Sequence, residues 1–324
     1  MIYDCFTFFN EVDLCLLRMS ILDDIVDKFV VVEGTKTHSN NDKPLYFSEN
    51  MYKFEKFKDK IIHIVVDEWP EYDSRWTFEH YQRNCILKGL TGCNEDDIII
   101  LSDLDEIPNP RAVKKAVNFL KKHNGICCFE MFLFFYFLNY LDYSKVFWYY
   151  HPKVFKYREF FQKHDSSSSD VGQNGFDVVT TPDQIRLFAG RYFTFHKGGW
   201  HFSTVGSKEH ITQILTAIVD SDRIETCDGQ ITDIDKKILA GEHFISSKKS
   251  KLCSVKTRMF LPNYVLEHID EYKDYMTDLR PSEEVKGFSF IVAKKFITKY
   301  VKSSIDNILF LIKNGKIYQS MYKS

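Results

Sequence analysis

The sequence predicts an α/β protein with a mostly parallel central sheet flanked by helices, and three observations carry this. Through residues 2–123, short apolar runs alternate with stretches of helical periodicity. Two of the runs, Phe29-Val30-Val31-Val32 and Ile98-Ile99-Ile100-Leu101, are apolar without a break, as strands buried on both faces are. The composition of the 324 residues is globular, with 44% hydrophobic and 27% charged side chains, which excludes disorder, collagen and a simple coiled coil as the main state.

The elements follow in order. Residues 2–9, rich in aromatics, read as the first strand, and residues 13–26 place Leu14, Leu17, Ile21 and Ile25 at helical spacing. Residues 29–32 make the second strand, residues 53–59 a short helix around Phe54 and Phe57, and residues 61–66 the third strand. A helix over 77–90 ends at Gly89 or Gly92, which suit a C-cap, and residues 98–101 make the fourth strand. Residues 109–123 form another helix with prolines around its start. Residues 125–150 are dominated by Phe, Tyr and Trp and predict further strands, a wall that is buried or lines a substrate. Residues 163–175, with Ser166-Ser167-Ser168-Ser169 and two glycines, read as a loop, either an idle one or a lid. Residues 211–245 look helical again, and Lys/Phe/Ile-rich helices follow from about Pro281. The expected division is a main domain over residues 1–275 and a helical extension over 276–324.

Lys plus Arg is 43 and Asp plus Glu is 45, so the net charge of −2 gives no global attraction to nucleic acid or to an anionic membrane. The local patch Lys248-Lys249 with Lys251 reads as a solvated loop. No signal peptide or membrane-spanning run is visible; the longest apolar run, residues 126–138, contains Glu130. The eight cysteines form no C-x-x-C pair and no zinc spacing, so they read as buried free thiols in a reducing compartment. A soluble, cytoplasmic or intracellular enzyme of a bacterium or virus fits these features.

The sequence contains no G-x-G-x-x-G, no P-loop, no H-E-x-x-H and no G-x-S-x-G. Its strongest chemical signal is the run Ile98-Ile99-Ile100-Leu101-Ser102-Asp103-Leu104-Asp105-Glu106, a buried strand that opens into carboxylates. Residues two apart in extended backbone point the same way, so Asp103 and Asp105 face one ligand at the edge where open α/β sheets bind. Paired carboxylates there suit Mn²⁺ or Mg²⁺, and such an ion can bridge to a diphosphate. Glu33 ends an earlier strand at the same edge and can accept from a nucleoside N–H or hydroxyl. Arg83, in Tyr81-Gln82-Arg83-Asn84, can pair with a phosphate or position the acidic cluster. In Gly198-Gly199-Trp200-His201-Phe202-Ser203 the glycines permit close backbone approach, Trp200 can stack on a sugar, and His201 is a candidate third metal ligand.

Further stretches keep the same order: Tyr3-Asp4-Cys5-Phe6-Thr7-Phe8-Phe9-Asn10-Glu11, Thr37-His38-Ser39, Pro44-Leu45-Tyr46-Phe47, and Leu261-Pro262-Asn263-Tyr264-Val265-Leu266. With the motifs above they resemble glycosyltransferase family 17, over about residues 1–275. The resemblance implies a GT-A-type, Rossmann-like nucleotide-sugar transferase fold. It also implies a UDP-GlcNAc donor, a glycan or glycoconjugate acceptor, a divalent metal and inversion at the anomeric carbon. On that reading Asp105 is the main metal ligand, with Asp103 supporting it and His201 on the metal or diphosphate. Glu33 would contact the nucleoside and Arg83 the diphosphate. Glu209 is the first candidate for the general base, ahead of Glu130 and Asp142. Two alternatives stay open: another donor (UDP-glucose, UDP-galactose or GDP-mannose), or a non-catalytic carbohydrate-binding protein on the same shell.

Overall fold

The computed structural model describes residues 1–149, 151–162, 178–188, 192–217, 226–227, 230–231, 234–244 and 250–321. The chain opens with β1 (Ile2–Phe8), α1 (Val12–Leu22), β2 (Lys28–Gly34), the single turn α2 (Tyr46–Glu49), β3 (Ile61–Val66), α3 (Arg75–Asn84) and β4 (Ile98–Leu101). Next come β5 (Glu106–Pro108), α4 (Pro110–Leu120), β6 (Cys127–Phe135), β7 (Tyr140–Asp142), β8 (Phe147–Trp148), β9 (Lys153–Lys156), α5 (Pro182–Leu187) and β10 (Phe193–Ser203). The last part holds α6 (Lys208–Ala217), a ribbon of β11 (Thr226–Cys227) and β12 (Gln230–Ile231), α7 (Ile234–Ala240), β13 (Leu252–Ser254), α8 (Asn263–Glu267) and α9 (Phe288–Met321).

Strands β3, β2, β1 and β4 lie side by side and all parallel. β9 follows antiparallel to β4, and β6 antiparallel to β9, so β6 returns to the direction of β1. β10 runs parallel to β6 and carries β5 antiparallel on its other edge. The sheet is therefore mixed, and the parallel order expected from the sequence holds in its first four strands. The reason is the connections: a helix intervenes between each of the early strands, whereas β7 follows β6 after a short turn and must come back antiparallel.

Alternation along the early strands divides the core into two layers. Phe6, Phe8, Val31 and Ile100 pack with Met19 of α1 and Val113 of α4 on one face. Cys5, Val30, Val32, Ile99 and Leu101 pack with Ile86 and Leu90, just after α3, on the other. The aromatic run forms strands as expected, and every residue of β6 is buried, so most of that wall is core. The region expected to be helical over 211–245 is two helices, α6 and α7, with the ribbon between them. The Ser-rich segment and the Lys248-Lys249 pair lie outside the described residues. Among the described residues the cysteines form no disulfide, and no helix is long and apolar enough to cross a membrane.

Candidate active site

The parallel strands deliver their C-terminal ends to one edge, and the acidic turn after β4 is fixed there from below. Arg18 of α1 is fully buried against Asp4 of β1, with bonds of 2.8 and 2.6 Å. Its Nη1 donates to the carbonyls of Asp103 (2.9 Å), Leu104 (3.0 Å) and Glu106 (2.9 Å), and Nη2 donates to Ser102 Oγ (2.7 Å). One guanidinium thus satisfies backbone that a tight turn would otherwise leave buried and unpaired. Removing one half of such a buried pair costs roughly 3–5 kcal/mol.

Asp103 leaves the turn toward cations. It pairs with Arg186 of α5 and, at 3.4 Å, with Arg83 of α3. Arg83 also binds Asp183 and Glu79, each at 2.5 Å, and Arg186 binds Glu106 at 3.0 Å. Burial opposes ionisation of Asp103, but Arg186 and Arg83 outweigh it and hold the carboxyl well below the usual range. Glu106 is locked as well: it accepts from Trp148 Nε1 (2.7 Å) and from the Asp103 amide (3.1 Å).

Asp105 turns the other way. Its Oδ2 lies 3.1 Å from His201 Nε2 on β10, and its carbonyl accepts from the Phe202 amide at 2.8 Å. The His201 ring packs on Trp148 at 4.6 Å, so the aromatic stretch does supply one side chain to the site. Burial lowers the His201 pKa, but Asp105 more than compensates and the net shift is upward. His201 Nδ1 is buried without a protein partner. Near Asp105 opens a cleft of about 240 Å³, lined among others by Asn10, Glu11, Asp13, His210, Tyr272 and Tyr275. Glu11 accepts from the amides of Asn10 (3.0 Å) and Phe9 (3.3 Å). Its burial, and to a smaller degree the nearby Asp105 charge, raises its pKa above the ordinary carboxylate value. Among the described residues, no three His, Cys, Asp or Glu side chains converge as a ready-made metal cage.

Residues 1–186 match the model of glycosyltransferase family 17. The chain belongs to that family. Curated relatives of this family 17 chain include the β-1,4-mannosyl-glycoprotein 4-β-N-acetylglucosaminyltransferases of Homo sapiens and Rattus norvegicus, each 32% identical over 124 residues. That match covers 36% of this chain and 22% of each relative, so the chain spans about a fifth of their length. A solved structure titled 4-diphosphocytidyl-2C-methyl-D-erythritol synthase, from Anaerococcus prevotii DSM 20548, aligns at 12% identity with a TM-score of 0.36, covering 69% of this chain and 99% of that one. The bifunctional IspDF of Campylobacter jejuni aligns at 11% identity and a TM-score of 0.30, covering 67% of this chain and 54% of that one. Both likenesses are too weak to bear on fold or function.

Several residues that the sequence singles out in this family 17 chain sit elsewhere. Glu33 reaches the right edge but is fully buried, with bonds from the Phe47 amide (2.9 Å) and the Ser48 amide (3.4 Å) and contacts to His63 (3.2 Å) and Lys43 (3.5 Å). It anchors α2. Trp200 points to the opposite face of β10 from His201 and donates to the Phe260 carbonyl at 2.7 Å within the core. The Gly198-Gly199 pair serves strand packing: a Cβ on Gly199, whose φ is +154°, would meet the Ile107 carbonyl at 2.2 Å. Glu209 is exposed in the first turn of α6, its pKa lowered by its own amide and by Ser207. Glu130 contacts His196 at 3.3 Å, and Asp142 accepts from the Ser144 amide at 2.9 Å, both away from the acidic turn.

Sequence reasoning missed Arg18, Glu11 and Arg186. For Arg186 a local signal existed, since Thr181 and Gln184 form a capping box that starts α5. Nothing in that signal says that α5 carries its arginine to a carboxylate 83 residues earlier.

Proposed function

We propose that this family 17 chain is a metal-dependent, inverting glycosyltransferase of GT-A type that moves GlcNAc from UDP-GlcNAc to a hydroxyl of a glycan acceptor. The names of the curated relatives support the donor sugar. The observation that carries the reading is the Asp105–His201 pair at the carboxyl edge of the parallel strands, with Glu11 of the neighbouring cleft close enough to feel the Asp105 charge.

The residues present suit Mn²⁺ or Mg²⁺. Asp105 and His201 are adjacent donors, and such ions commonly take few protein ligands and complete their shell with water and substrate phosphate. Asp105 and His201 would hold the ion, and when bound it would offset charge on the leaving diphosphate. Asp103 is paired with Arg83 and Arg186, and Arg83 also with Asp183 and Glu79, so on this reading the two position the turn rather than meet the donor. Inversion by direct displacement needs one base at the acceptor hydroxyl. Glu11 is better placed for this than Glu209. It lines the cleft near Asp105 and its raised pKa favours proton capture, whereas Glu209 is exposed with a lowered pKa.

The test is thermal stability with UDP, UDP-GlcNAc and GDP, each with and without Mn²⁺, followed by a transfer assay over a donor panel. A ligand at ~100 Kd stabilises by about 2.7 kcal/mol, so binding is readily seen. The expected result is a Mn²⁺-dependent shift with the uridine compounds that Asp105→Ala removes. A shift that survives Asp105→Ala rejects the metal assignment, and no shift with any nucleotide rejects the transferase reading.

A further inference from the structure

The outward face of α9 is apolar where a surface helix is ordinarily polar. Phe290, Ile297, Val301, Ile305, Ile308 and Ile312 are 73, 66, 54, 54, 57 and 51% exposed. Their spacing of seven, four, four, three and four residues places all six in one narrow stripe. At about 1.5 Å per residue the stripe runs straight for ~33 Å. The opposite stripe fastens α9 to the protein. Phe296 packs on Phe147, Phe310 on Phe193, and the Asn307 side chain brackets the Thr194 backbone with bonds of 2.7 and 3.0 Å. The exposed stripe is therefore held in one orientation.

Its surroundings are cationic. Within α9, residues 288–312 contain Lys294, Lys295, Lys299 and Lys302 against the single acid Asp306, a net charge of 4 − 1 = +3. The whole chain is −2, so the remainder carries −2 − 3 = −5. Positive charge is thus gathered on the helix that exposes this apolar stripe. Lys294 is exposed within the stripe, between Phe290 and Ile297, and Lys302 is exposed beside it. Lys299 lies over the Tyr149 ring at 3.7 Å, its pKa lowered first by burial and then by Lys302.

We propose that this face of α9 lies on the surface of an anionic lipid bilayer, the apolar stripe in the acyl boundary and the lysines among the headgroups. Charge selects the occupant. A second copy would set +3 against +3, whereas an anionic bilayer answers both the lysines and a straight stripe with no groove. α9 is not apolar enough to span, so it lies in the plane of the interface.

The experiment is co-sedimentation of the full chain with vesicles of phosphatidylcholine alone and of phosphatidylcholine with about a third phosphatidylserine, at low and high salt. The stated expectation is at least tenfold tighter binding to the serine-containing vesicles, weakened by salt. Val301→Asp with Ile305→Asp should bring binding to background at unchanged melting temperature. Lys294→Glu with Lys302→Glu should remove at least tenfold of the preference, since each lysine near such a surface contributes roughly fivefold. Absence of binding to the anionic vesicles overturns the proposal, as does binding that neither double variant changes. Sedimentation velocity supplies a further route to rejection: a wild-type dimer that Val301→Asp with Ile305→Asp turns into monomer assigns the stripe to self-association.

Discussion

The two aspartates of the acidic turn sit two residues apart and live in different environments. Asp103 faces Arg83 and Arg186, which in turn bind Asp183, Glu79 and Glu106. Asp105 faces one imidazole, that of His201, at 3.1 Å. The charge of the first is already matched by protein cations, which suits a framework role. The second lies against His201, whose pKa it raises, with Glu11 close by. A D-x-D pattern therefore does not imply two equivalent ligands. On the proposed function, one carboxylate fixes the turn and the other is presented to substrate.

The largest expected effect breaks the Asp105 side. Asp105→Ala should lower kcat/KM for transfer at least ~10³-fold, as loss of a principal electrostatic group does, while the melting temperature stays within a few degrees of wild type. Retained turnover would end the distinction drawn above. Next is the base. Glu11→Gln should reduce kcat by ~10²–10⁴-fold with nucleotide binding kept, and Glu209→Gln should change it less than about twofold. In the wild type, the acid limb of kcat/KM should lie above the usual carboxylate pKa, because the base must be ionised and its pKa is raised. The reverse ranking of the two variants would return the role to Glu209.

A third effect, on stability, lies behind the Asp103 side. Lys153 of β9 is fully buried, donates to the Phe188 carbonyl at 3.2 Å and lies 3.8 Å from the Tyr192 ring centre. Burial and the charge of Arg186 push its pKa down from 10.5 to about 8. Below about pH 8 both folded and unfolded chains carry this charge, and the folded state bears its full cost. Between about pH 8 and 10.5 the unfolded chain binds more protons, so stability should rise with pH, by up to ~3 kcal/mol. Lys153→Met should abolish that rise in denaturant titrations across the range. An unchanged slope would mean that Lys153 stays charged in the folded protein.

What the sequence made legible follows from which interactions are local. The strands 29–32 and 98–101, the helix around Leu14 and Leu17, and the carboxylates after β4 were all visible, because periodicity and an apolar run ending in acid are properties of neighbouring residues. The pairing of β9 between β4 and β6 was not, since strand order is set by contacts distant in sequence. The same reason hid Arg18, whose role depends on carbonyls 85 and more residues away, and misplaced Trp200. Trp200 and His201 are adjacent, so on a strand they must face opposite sides, and only one of the two can reach the site. Glu33 was found at the right edge, but nothing local announced that the amides of α2 would claim its carboxylate.

The smallest effect is the sharpest test of the contrast. Asp103→Asn keeps the shape of the turn and removes the charge that Arg83 and Arg186 share. Both arginines retain other carboxylates, Asp183 and Glu79 for one and Glu106 for the other, and the Asp103 side chain is 37% exposed, so solvent screens part of the loss. The cost should be only ~1 kcal/mol in denaturant unfolding. Its pH dependence identifies the source. The folded pKa of Asp103 lies below its unfolded value, so the stabilisation is complete above the unfolded carboxylate pKa and is lost as pH falls through the folded one. Wild type and variant should therefore differ at neutral pH and converge under acid, with kcat/KM reduced by less than about tenfold. A loss of transfer matching that of Asp105→Ala, at unchanged stability, would make the two aspartates equal partners in binding substrate and remove the division between framework and ligand.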